Sequence, residues 1–120
     1  MKRILAFVAA LALVPCALAD YCGIIPAGAT SQSVYIRILD ATTGAPSASY
    51  AYNSSGIDLE YVRAGAAATA ITEATQTASG AYSSGGFVSV GKGNYRLDIP
   101  DAAIASGVPR VTVQGAVTGG

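Results

Sequence analysis

Apolar and polar residues alternate over short runs along most of the chain, and Gly, Pro, Ser or Asp-Thr groups bound each run. Two-residue periodicity of this kind predicts β-strands with one buried face. The best-marked run is Gly91–Pro100, where two glycines open a turn and Tyr95, Leu97 and Ile99 then alternate with Arg96 and Asp98. Its polar side chains are placed on an outer, solvated face, where an ion pair contributes under ~1 kcal/mol. Ser33–Leu39 predicts a second strand with Val34, Ile36 and Ile38 inward and Tyr35 outward. The turn Asp40–Pro46 stops it, because Asp and Thr side chains bond nearby backbone N–H groups and Pro46 offers no donor.

Ser47–Asn53 is assigned as a strand carrying Tyr50 and Tyr52 on one face, and Ile57–Arg63 as one with Ile57, Leu59 and Tyr61 inward and Asp58 and Glu60 outward. Ala68–Thr77 is read as one further strand, since threonine and Ile71 outweigh the helix preference of the preceding alanines. Phe87–Val90 leads into the Gly91 turn, and Val108–Val117 is the last strand, with Val111 and Val113 inward. Between them Asp101 is placed as the N-cap of a single helical turn and Gly107 as its C′ residue. About seven short strands without a long amphipathic helix predict an all-β fold, a single antiparallel two-sheet sandwich.

The N-terminus departs from this pattern. Met1-Lys2-Arg3 precedes an uninterrupted apolar run from Ile4 to Val14, then Pro15 and the small-residue site Ala17-Leu18-Ala19. Residues 1–19 are therefore expected to be a signal-peptide helix, cleaved before Asp20. Eleven apolar residues at ~1.5 Å each reach about half-way across a ~30 Å hydrocarbon layer, so contact with the membrane is transient. Residues 20–32, rich in Gly, Pro and Ala around Ile24-Ile25, form an extended lead-in or edge strand to the domain at 33–120.

Charge and chemistry narrow the function by exclusion. Cleavage would remove Lys2 and Arg3 from seven basic residues and leave all seven acidic ones, a net charge of −2. Five scattered cations make no basic stripe, which argues against nucleic-acid binding. The chain has no histidine, and with it lacks the usual general base and the common nucleophile systems. The glycines around Lys92 have neither the spacing nor the following helix of a nucleotide-binding loop. No catalytic residue and no cofactor is expected, and the protein is read as non-enzymatic.

Three features carry weaker readings. Asp58 and Glu60, two apart on a strand, could share a hard cation, or form a solvated face paired with Arg63 or Arg96. Tyr35, Tyr50 and Tyr52 are candidates for binding a protein or glycan surface, because tyrosine offers a large apolar area with a polar tip. Cys22, the one cysteine left after cleavage, is either an intermolecular disulfide partner or an incidental thiol near a terminus. Asn53-Ser54-Ser55 also matches the N-glycosylation pattern.

The strand and turn Ile36–Pro46, ending in Asp40, Thr43-Gly44 and Pro46, resembles the opening of carboxypeptidase-regulatory-like and related immunoglobulin-like β-sandwich modules. Gly93-Asn94-Tyr95 is similar to the Gly-x-Tyr strand near their end. The segment Gly56–Ala103 also looks like small domains of phage and prophage structural proteins. The resemblance implies an Ig-like binding or spacer module without catalysis. Two settings follow: a secreted, periplasmic or cell-surface subunit with structural, adhesive or accessory roles, including self-association through a sheet edge, or a virion module of a capsid or tail.

Overall fold

The computed structural model describes residues 25–47 and 50–118; the expected signal peptide and Cys22 lie outside them. The regular structure of the described chain is almost all β, in the order β1 (Ser33–Arg37), β2 (Ile57–Arg63), β3 (Ala68–Ala70), β4 (Ala74–Thr75), β5 (Gly86–Gly91), β6 (Asn94–Asp98), a one-turn helix α1 (Asp101–Ile104) and β7 (Val111–Val117). A four-stranded sheet runs β1-β6-β5-β4 and a three-stranded sheet runs β3-β2-β7.

The inward residues anticipated from the alternation meet between these sheets. Phe87, Tyr95 and Leu97 of one sheet and Leu59 of the other are buried with Ile71, and Val34, Ile36, Ile57, Tyr61 and Val113 pack around them. Phe87 and Tyr95 stack with ring centroids 5.0 Å apart. Ile99, Ala103 and Ile104 form a second cluster at one end, onto which the lead-in residues Ile25 and Ala29 pack.

Local chemistry explains the hairpin that joins β5 to β6. Gly91 pairs with Asn94 across the two-residue turn Lys92-Gly93, and both turn residues take positive φ, 54° and 76°. This is the twist-compatible geometry that tight hairpins favour. Gly93 is needed for space as well: a Cβ there would stand 2.8 Å from the Pro46 Cβ and 2.9 Å from the Ile38 carbonyl oxygen. The two turns that carry the family resemblance are thus packed together, and Ile38 N–H donates to the Gly93 carbonyl at 2.8 Å.

Five expectations are corrected. Residues 68–77 are two strands rather than one, because the chain changes sheets at Ile71: β3 pairs with β2, whereas β4 pairs with β5, and does so in parallel. The sandwich is therefore not wholly antiparallel. The described part of Ser47–Asn53 is not strand; Ser47 and Tyr50 instead bond the buried Tyr95 hydroxyl, which donates to the Ser47 carbonyl at 2.9 Å and accepts from Tyr50 N–H at 3.3 Å. The first strand ends at Arg37, with only an isolated bridge from Leu39 to Pro46 beyond it, and the last begins at Val111, after Pro109. In α1 the N-cap is Pro100 and the C-cap Ala105. Asp101 instead turns back to the lead-in, its Oδ1 accepting from Ser31 N–H at 2.7 Å.

Candidate functional site

The largest correction concerns β6. Arg96 and Asp98 do alternate away from the core, yet they retain only 6% and 0% of their exposure. The loop between β4 and β5, residues 76–85, closes over their end of the outer sheet face. Asp98 is the anchor. Its Oδ1 accepts from Ser33 Oγ at 2.6 Å and Arg96 Nε at 2.8 Å; its Oδ2 accepts from Gln76 Nε2 at 2.6 Å, Ser83 N–H at 2.9 Å and Arg96 Nη2 at 3.2 Å. Arg96 Nη1 then reaches the carbonyl of Gly80 at 2.7 Å and that of Ala78 at 3.3 Å.

This arrangement follows from what burial demands. A carboxylate out of water must be hydrogen-bonded and paired. Burial by itself would raise the Asp98 pKa, but the bonds from Ser33, Ser83, Gln76 and Arg96 outweigh it and hold the carboxyl below its ordinary value of 3.8. Gly86 makes the close approach possible, since a Cβ there would lie 2.9 Å from Asp98 Oδ2 and 3.0 Å from Gln76 Nε2. Tyr82 fastens the same loop by donating to the Ile99 carbonyl at 2.7 Å and to Asp101 Oδ1 at 3.2 Å. Burial, despite a bond from Ser84, and then the charge of Asp101 raise the Tyr82 pKa above 10.0. This polar cluster is therefore a staple between a strand and a loop, with its donors and acceptors already engaged.

Beyond the loop the same sheet face is open. Tyr35 stands directly across from Arg96 on β1, and Arg37 across from Asn94; Val88 faces Arg96 from the other side. Tyr35 is 68% exposed and Val90 39%, Arg37 is exposed and Val88 half-buried. The sequence singled out Tyr35 here, and missed Val88 and Val90 because Phe87–Val90 reads as a strand without its faces being assigned.

The other candidates separate. Tyr50 is half-buried with its ring centroid 6.4 Å from that of Tyr95, so it belongs to the core margin. Tyr52 keeps 40% exposure and lies outside the strands. Asp58 and Glu60 do face outward, as expected, but neither anticipated arginine partners them. Glu60 accepts from Gln114 Nε2 at 2.6 Å, Arg63 Nη2 donates to the carbonyls of Ala105 and Ser106, and Arg96 is committed to Asp98. Among the described residues, no three or more His, Cys, Asp or Glu side chains come together as a metal centre would require.

A last feature lies where the sheets part. Among the described residues β1 and β7 each have one strand neighbour, and residues of both strands line the same side of the sandwich. Two apolar grooves run between them: one of about 250 Å³ beside Ile25, Val34, Val111 and Val113, the other of about 220 Å³ beside Ile36, Ile38, Val113 and Val117. Compared with protein-family models, with curated proteins and with solved structures, the chain matches none.

Proposed function

We propose that the protein is an exported, non-enzymatic module of the immunoglobulin-like, carboxypeptidase-regulatory-like kind, a structural or adhesive subunit that docks on a protein surface through the open half of the β1-β6-β5 face. The observation that carries this reading is the division of that face. Its one acidic group, Asp98, is consumed in the staple together with Arg96, whereas Tyr35 is left 68% exposed beside Arg37, Val88 and Val90. Tyrosine, arginine and aliphatic side chains grouped without acidic residues are the composition of a protein interface core. A glycan platform would be better served by several coplanar rings, and this face has one. The contact between the Asp40–Pro46 and Gly93-Asn94-Tyr95 turns supports the family reading, and residues 1–19 support export.

Co-sedimentation of the purified exported protein with the envelope of the cells that produce it tests the proposal. Tyr35→Ser combined with Val88→Thr is expected to weaken association at least tenfold while the fold is kept; unchanged association overturns the docking face. Intact mass of the exported product tests the rest, since retention of residues 1–19 contradicts the export reading.

A further inference from the structure

We propose that the open half of the β1-β6-β5 face docks on the opposite face of a second copy of this chain, so that sandwiches stack front to back with Arg37 of one copy seated against Asp58 and Glu60 of the next. This rests on the docking role given to Tyr35 and its neighbours, and adds what they dock on. The starting point is the charge left over once the internal bonds are made. Among the described residues Arg96 and Asp98 form an ion pair, Arg63 is turned to the Ala105 and Ser106 carbonyls, and Asp40 and Asp101 accept backbone N–H groups of Thr42, Thr43 and Ser31. Glu73, ahead of β4, has one carboxylate oxygen buried. Arg37 and Lys92 stay exposed in front, whereas behind Asp58 is exposed and Glu60 half-buried.

The strand pattern fixes these sides. Val34, Ile36 and Ile38 pack against the core, so alternation turns Tyr35, Arg37 and Leu39 outward, and Leu39 is 50% exposed. Leu59 and Tyr61 pack from β2 and put Asp58, Glu60 and Val62 on the far side, across from Ala116, Gln114 and Thr112 of β7. The two sets of charges also lie at one end of the sandwich. Arg37 shares a groove with Gln114, Gly115 and Val117, the segment that pairs with Ile57–Glu60, and the Ile38–Gly93 bond brings the Lys92 turn to the same end. A copy shifted through the thickness of the sandwich, without inversion, therefore brings its cations over the carboxylates of its neighbour. Arg110, the basic residue of the far side by parity, lies four residues beyond Gln114, ~13 Å toward the other end.

Shape agrees with charge. Gly115 and Ala116 leave a dent of about 210 Å³ beside Asp58, Glu60 and Gln114, a place for the guanidinium fork that carboxylates bind. Ala70 and Ala68 of β3 continue that side across from Glu60 and Val62, a low surface for Tyr35, Val88 and Val90 to cover. Front and back are different surfaces on opposite sides, so the contact is heterologous and copies add into an open stack rather than closing as a pair. The face is three strands wide and about five residues long, ~14 × 17 Å. That is below what a permanent dimer buries, so stacking is weak and concentration-dependent.

Sedimentation equilibrium of the exported protein tests the stack. At low salt the weight-average mass should climb past that of a dimer as concentration rises to ~1 mM, the range in which so small a contact is read. It should return to the monomer mass at ~1 M salt, where screening shortens to ~3 Å. Arg37→Glu and Asp58→Arg, both at exposed positions, should each weaken self-association about tenfold or more, since each sets like charges against one another. Mixed in equal amounts they should recover it as a one-to-one pair, because the Asp58→Arg copy keeps a native front and the Arg37→Glu copy a native back; a misfolded variant cannot give that recovery. Self-association untouched by Asp58→Arg means that front meets front and overturns the proposal, as does a mixture that stays monomeric. Unaltered protein that remains a monomer throughout also overturns it, and envelope co-sedimentation, which needs no second copy, then decides separately whether the Tyr35 face docks on a different protein.

Discussion

Asp98→Asn removes the anchor of the staple with almost no change of shape. The substitution neutralises a carboxylate that accepts five hydrogen bonds and turns one acceptor into a donor that faces donors. It also strands the Arg96 guanidinium, only 6% exposed, without its counter-charge. Removing one partner of a buried pair costs about 3–5 kcal/mol, which for a domain of this size corresponds to a fall in melting temperature of about 12 °C or more. Urea unfolding followed by far-UV circular dichroism measures it, with Arg96→Met and the double variant completing a cycle. Arg96→Met should be milder by about 1–3 kcal/mol in the Asp98→Asn background than in the unaltered protein. If the single variant does not hold its fold, Ser33→Ala removes one bond to the charged group and should cost about 1.5–3 kcal/mol. A loss below ~1 kcal/mol for Asp98→Asn is what an exposed ion pair gives, and would refute the buried staple.

The depressed pKa of Asp98 makes a prediction about acid. Its folded value lies below 3.8 and so below that of the unfolded chain; the stability it contributes is complete above about pH 4 and lost as pH falls through the folded value. Unfolding free energies measured from pH 7 to pH 2 should therefore show the gap between the protein and Asp98→Asn narrowing only below about pH 4. Gly93→Ala places a Cβ against Pro46 and the Ile38 carbonyl at φ +76° and should cost about 1–3 kcal/mol; a neutral result in urea unfolding would mean the two turns do not touch. Tyr35→Ser, at a site 68% exposed, should change stability by less than about 0.5 kcal/mol, which thermal melting checks.

Strand existence and inner faces were legible because alternation records which side chains are buried. Val34, Ile36, Leu59, Tyr95, Leu97 and Val113 all point where the pattern put them. What it could not record was a second burial event. Arg96 and Asp98 sit at polar positions of an alternating strand, and whether such a face is wet depends on a loop distant in sequence closing over it. Gly85-Gly86 and the polar run Gln76–Ser84 were the available traces, since a strand that must approach a carboxylate closely needs a residue without a Cβ. The split of Ala68–Thr77 was hidden for a different reason. β3 and β4 have three and two residues, too few for a period to declare itself, and the buried Ile71 between them suits a strand interior as well as a crossing. Asp101 was misplaced because its carboxylate serves Ser31 and Tyr82, partners that only tertiary structure brings near.

The central claim is that the polar pair of β6 is interior and holds the loop shut, leaving Tyr35 and its neighbours as the working surface. Solvent exchange of the Arg96 Nε–H and the Ser83 amide, read by nuclear magnetic resonance, tests it most directly. Both protons donate to Asp98, and both are expected to exchange as slowly as the core amide of Leu97, far more slowly than the Nε–H of the exposed Arg37. An Arg96 Nε–H that exchanges as fast as that of Arg37 would contradict the account.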